Sequence, residues 1–148
     1  MTKSVADAIH SDMVGSTSAH DLAALIGRIL LAAIFILSGV GKLADPAGTM
    51  AYIGAAGLPF APAAFAGAVA VEVAGGIGLI IGFRTRLVAA SLAIFSLLTA
   101  IIFHSALSDQ NQFIHFLKNF AIAGGLLQVV AFGAGRLSID AKLNGRLK

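Results

Sequence analysis

A chain of 148 residues with 58% hydrophobic and 11% charged residues and a mean hydropathy of +0.94 is far more apolar than a soluble domain, where charge runs near about 25%. That length and hydropathy suit one domain of roughly four membrane-spanning helices and leave no material for a soluble catalytic domain. With no cysteine, disulfides, thiolate catalysis, Fe–S clusters and Cys-ligated zinc are excluded within the chain. A net charge of +3 and a pI near 9.7 then report which loops are basic, not nucleic-acid binding.

Residues 1–21 mix Ser, Thr, His and Asp without an apolar run, and without the cationic start and cleavage site of a signal peptide. They read as a mobile cytoplasmic tail. From Leu22 an apolar stretch broken by one interior charge reaches Leu43, long enough at about 1.5 Å per residue to cross a hydrocarbon core of about 30 Å. Asp45, Pro46 and then Gly57-Leu58-Pro59 supply a cap, a first turn and an end for a short interfacial helix. Met50, Tyr52, Ile53 and Leu58 are its expected membrane anchors.

The second span covers residues 62–83 and ends at Arg84-Thr85-Arg86. A third, residues 87–104, follows so closely that the two form a tight antiparallel hairpin. Residues 104–112 turn the chain. The apolar run after Lys118 is too short to cross, so the fourth span starts near Phe113, ends at Phe132 and carries His115, Lys118 and Asn119 in its first turns. The expected architecture is all-α, an integral membrane antiparallel four-helix bundle over residues 22–135, followed by a basic cytoplasmic tail at 136–148. Lys3, Arg84, Arg86, Arg136, Lys142, Arg146 and Lys148 fall on one side and only Lys42 and Lys118 on the other, which predicts both termini in the cytoplasm. Contact of the basic end with anionic lipid headgroups comes with that orientation.

Charge inside a span costs about 2.5–3.5 kcal/mol on insertion scales, so Arg28 and Glu72 require partners, water or burial in protein. Arg28 lies nearer the cytoplasmic end and Glu72 near mid-membrane, and a direct Arg28–Glu72 salt bridge and separate partners stand as equal alternatives. Helical spacing puts Arg28, Phe35, Ser38 and Lys42 on one stripe of the first span. Gly75 and Gly76 set Glu72 in a close-packed seam, and Gly78 and Gly82 form a small-xxx-small step suited to helix approach or a homodimer. His115, Lys118 and Asn119 share one face of the fourth span and His104 closes the third. The expected outer cluster is Lys42, His104, His115, Lys118 and Asn119, with Glu72 beneath it and Arg28 deeper. Such a cluster suits a small polar or quinone-like ligand, or a proton route through His and Glu. It also suits a purely structural network. Axial ligation of a haem by His104 and His115 is the least favoured reading, and no metal motif is present.

These residues also carry a resemblance. Arg28-x-x-Leu31 leading to Phe35, Ser38-Gly39-x-Gly41-Lys42-Leu43, Gly57-Leu58-Pro59, and Glu72-x-x-Gly75-Gly76-x-x-Leu79-x-x-Gly82 before Arg84 and Arg86 occur in order, with His104 and Asn119 completing the set. Over about residues 26–135 the chain resembles the DoxX/DoxD-like family of small four-helix membrane proteins. The resemblance implies a bacterial inner-membrane protein and matches Arg28, Lys42, Glu72, His104 and Asn119 to the family's polar positions. Some members are described as subunits of a thiosulfate:quinone oxidoreductase, or as membrane partners in complexes handling thiol and oxidative stress. For this chain it implies a membrane subunit whose bundle accepts a quinone-like ligand, with electrons supplied by a partner protein. The alternatives are a small proton-coupled permease and a membrane scaffold.

Overall fold

The computed structural model describes residues 19–145. Among these described residues six helices follow in order: α1 Ala19–Ala44, α2 Pro46–Ala55, α3 Ala61–Ile81, α4 Thr85–Phe103, α5 Gln110–Phe132 and α6 Ile139–Leu143. Four of them, α1, α3, α4 and α5, are long and apolar enough to cross a membrane. They run alternately up and down, so the end of the bundle that carries the start of α1 and the segment after α5 also carries the α3–α4 turn. Helix α2 and the α5 N-terminus lie at the opposite, loop end.

Helix α1 packs along α3 and α5 along α4, while α3 meets α4 less extensively and α1 meets α5 only slightly. Small residues let these helices approach. A Cβ on Gly75 would lie 2.9 Å from Leu92, and one on Gly76 2.5 Å from Ile36, so α3 presses α4 on one side and α1 on the other. The core is Ala32, Phe35, Leu79, Ala89, Leu92, Ala93, Ala123 and Leu126. Large apolar side chains point outward instead, with Leu30 69%, Leu37 72% and Ile94 60% exposed. In water such a surface drives association; in a bilayer it is the face that meets lipid.

The sequence-based boundaries shift at three places. Residues 19–21, expected in the N-terminal tail, form the first turn of α1, where Asp21 accepts a hydrogen bond from Arg136 N at 2.9 Å; residues 1–18 lie outside the described residues. Helix α5 starts at Gln110, not near Phe113, because Asp109 caps it by accepting from Gln112 N at 2.9 Å. Residues 136–145, expected as a tail, fold back as a short segment containing α6, with Ser138 and Ala141 buried; residues 146–148 lie outside the described residues.

The interfacial helix forms as its capping residues predict, with Asp45 accepting from Gly48 N at 2.9 Å and Pro46 in the first turn. Of its expected membrane anchors Ile53 is instead buried, while Tyr52 stays about half exposed and stacks on Phe103 at 5.4 Å. Tyr52, Ile53 and Leu58 line a partly open cavity. Helix α2 is a cover over the loop end of the bundle.

Candidate functional site

Lys42 closes α1 and reaches sideways to α3. Its Nζ donates to both carboxylate oxygens of Glu72 at 2.8 Å and to Ser38 Oγ at 2.7 Å, while Ser38 Oγ donates to Glu72 Oε1 at 3.0 Å. Ser38 and Lys42 stand one turn apart on α1 and so face the same point on α3. Gly39 sets their distance: a Cβ there would lie 2.7 Å from Val73 Cγ2 and 3.3 Å from Glu72 Cβ. The Glu72 side chain is 5% exposed and that of Lys42 25%, so the carboxylate is buried and the ammonium borders open space. All three ammonium hydrogens are used, which is what makes a charge tolerable at this depth.

That open space is a cavity of about 530 Å³ inside the loop half of the bundle, a size ordinary for a small-molecule site. Phe35, Val71, Phe95 and Ile122 give it apolar walls, Tyr52, Ile53 and Leu58 cover it, and Lys42, Glu72, His104, His115, Lys118 and Asn119 border it. Ser96 and Thr99 also line it, but their hydroxyls donate to Leu92 O and Phe95 O one turn back at 2.9 Å, which leaves the wall effectively apolar. His104 and His115 stack with ring centroids 5.0 Å apart. His104 Nδ1 lies 2.8 Å from Gln112 Oε1, an amide oxygen that accepts the Nδ1 hydrogen and leaves Nε2 free of that contact. Lys118 is exposed, and unlike Lys42 its donors are not spent on a carboxylate.

The outer residues Lys42, His104, His115, Lys118 and Asn119 border the cavity together with Glu72. Arg28 lies deeper, apart from them, and of the two alternatives for it the separate partners hold: it makes no salt bridge with Glu72. It is 1% exposed at the opposite end of the bundle, where Nη1 donates to Leu79 O at 2.7 Å and Ile80 O at 3.1 Å, and Nη2 to Leu137 O at 2.6 Å. The last carbonyls of α3 lack partners within their own helix, α3 has no basic residue in its last turn, and Arg28 supplies the cation from α1. Asp140 does the reverse for α4, accepting from Arg84 N and Thr85 N at 2.8 Å. Burial alone would raise the Asp140 carboxyl, but the Thr85 and Arg84 hydrogen bonds and the Arg28 charge outweigh it and hold it below the usual carboxylate range.

Packing bears on two further readings. Gly78 and Gly82 do not offer a homodimer face: Gly78 meets Val88, and Gly82, at φ +69°, lies against Ser138 and Arg28. The His104–His115 stack does not suit a haem, since its ring faces turn to each other and axial ligands must aim nitrogen edges at one iron. Among the described residues no cluster of three or more His, Asp or Glu side chains could hold a metal. Tyr52, Ser96 and Thr99 also line the cavity, and the i, i+3 spacing of Ser96 and Thr99 puts both on one helix face. Gln112 meets His104 without lining the cavity, and nothing in the sequence singles it out.

Four apolar spans around a polar-ended cavity define a polytopic helical membrane protein. Comparison with known proteins gives the family: the DoxX family model matches residues 23–105, and that of the SURF4 family matches residues 67–144. The chain is 39% identical over 125 residues to "Inner membrane protein YqjF" of Escherichia coli K12, covering 84% of this chain and 95% of that protein. It is 33% identical over 130 residues to "Inner membrane protein YphA" of the same organism, covering 84% and 93%. No solved structure gives a significant match. The chain belongs to the DoxX family and is a multi-pass inner-membrane protein.

Proposed function

We propose that the chain binds a small amphipathic, quinone-like ligand in its loop-end cavity, as the membrane subunit of an oxidoreductase system. The observation that carries this reading is the cavity itself: largely apolar walls with Lys42, Glu72, His104, His115, Lys118 and Asn119 gathered on its border. The volume and the donor set fit a carbonyl-bearing ring. Lys42 is committed to Glu72 and Ser38 and fixes the polar floor, which leaves Lys118 as the cation and the His104–His115 pair as the proton-exchanging groups for the ligand head. A bound quinone takes up two electrons and two protons on reduction to quinol. With no cysteine relay in the chain, the electrons come from a partner protein.

The permease alternative has less support. Ala32, Phe35, Leu79, Leu92 and Leu126 are buried between the Lys42–Glu72 pair and Arg28, and an apolar plug of this kind interrupts a polar route across the bundle. In the same reading the distribution of basic residues puts both termini in the cytoplasm and opens the cavity toward the outer half of the bilayer.

The test is extraction. Wild-type protein purified gently retains a quinone above the level of an unrelated membrane-protein control, and Ala68→Phe, which places a ring in the cavity one turn from Glu72 while keeping both ion-pair partners, abolishes it. Equal quinone content in the protein and the control contradicts the proposal.

A further inference from the structure

A second cavity, of about 580 Å³, lies at the other end of the bundle between the first turn of α4, residues 133–136 and α6. It is lined by three arginines, Arg84, Arg86 and Arg136, and by two carboxylates, Asp21 and Asp140. Both carboxylates are engaged elsewhere: Asp140 accepts two backbone N–H groups and faces the Arg28 charge, and Asp21 accepts from Arg136 N. The arginines are not matched by them. Arg86 Nη2 makes one long bond to Ala131 O at 3.4 Å, and neither the Arg84 nor the Arg136 guanidinium has a hydrogen-bonding or ion-pair partner among the described residues. Thr85, Ala134, Ser138 and Ala141 form a buried base beneath them.

Guanidinium groups converging on one recess with unspent donors are suited to a phosphate, which takes two parallel N–H bonds from each. The rim distinguishes the source. Phe132 and Leu87 line the same cavity and are 80% and 61% exposed, at the points where α5 leaves the membrane-spanning region and α4 enters it. A phosphate held among the arginines would thus have acyl chains beside these apolar side chains, an arrangement a soluble anion does not use.

We infer that this recess is a binding site for the headgroup phosphate of one anionic phospholipid, held by Arg84, Arg86 and Arg136. The site is separate from the loop-end cavity and stands whether or not that cavity binds a quinone.

The test uses the full chain in mild detergent with equal amounts of phosphatidylglycerol and phosphatidylcholine, read by intact-complex mass spectrometry. Wild type retains one phosphatidylglycerol in preference to phosphatidylcholine. Arg84→Gln and Arg136→Gln, whose side chains hold no other part of the fold, each lower that preference about fivefold. Lys142→Gln, on α6 but outside the recess, leaves it unchanged, and inorganic phosphate does not displace the lipid. Equal retention of the two lipids, an unaltered preference in both arginine variants, an equal loss in all three variants through diffuse surface charge, or displacement by inorganic phosphate overturns the inference.

Discussion

Lys42 and Glu72 stand 30 positions apart in the chain, on different helices, yet Lys42 Nζ lies 2.8 Å from each Glu72 oxygen and 2.7 Å from Ser38 Oγ. One helix end thereby fixes the middle of another, and the pair forms the polar floor of a cavity whose walls are otherwise apolar. Removing one partner leaves the other as an uncompensated charge. Glu72→Gln is expected to cost about 3 kcal/mol, the lower end of the range for breaking a buried pair, because Lys42 is partly solvated. The double variant Lys42→Met with Glu72→Gln recovers part of the loss. Thermal denaturation in detergent checks both, and a double variant less stable than either single one contradicts the pairing.

Arg28 makes the opposite case, a buried cation with a structural task. Arg28→Gln removes three charge-assisted bonds to carbonyls at the end of α3 and in the C-terminal segment, for an expected loss of about 3 kcal/mol. Ligand retained per folded molecule stays at the wild-type level. The check is melting temperature together with ligand content, and a stable variant with an emptied cavity would return Arg28 to the site.

The close approach of α1 to α3 depends on Gly39. Gly39→Ala drives a Cβ against Val73 and Glu72 and is expected to cost about 1–3 kcal/mol by overpacking. Gly41→Ala, on the same helix with nothing within 4 Å of its Cβ, leaves the melting temperature unchanged or higher. Equal effects at the two positions would show that Gly39 sets no spacing.

Asp140 confers a pH dependence. Its folded carboxyl lies below the ordinary value of about 3.8, so its contribution is complete above that value and is lost as pH falls through the lowered one. Asp140→Ala is expected to remove the α4 cap at a cost of about 1–2 kcal/mol near neutral pH. The difference between wild type and variant narrows as pH falls below about 3.8 and closes only below the lowered folded value, and a difference that does not narrow below that ordinary value would refute the assignment.

The spans were legible because apolar runs of membrane length dominate the chain, and the α2 cap because Asp45 and Pro46 are strong local signals. The loop-end cluster was legible for a related reason. Few polar residues occur in the spans, and helical spacing sends Lys42, Glu72, His115 and Asn119 inward. Partner choice was not legible. Arg28 and Glu72 look like natural mates in a list of intramembrane charges, but depth decides, and each finds a partner at its own end of the bundle. Nor does a run such as Arg136-Leu137-Ser138-Ile139-Asp140 announce that it folds back, since its fold rests on contacts to Asp21, Arg28 and Arg84 distant in sequence.

The central claim, a quinone-like ligand seated above the Lys42–Glu72 pair, is tested most directly by titrating a short-chain quinone into the protein in lipid nanodiscs and measuring bound ligand by equilibrium dialysis. Saturation at one ligand per chain is expected, with affinity lowered about tenfold or more in Glu72→Gln and no saturable binding in Ala68→Phe. Uptake by wild type that never saturates and matches empty nanodiscs would contradict the account.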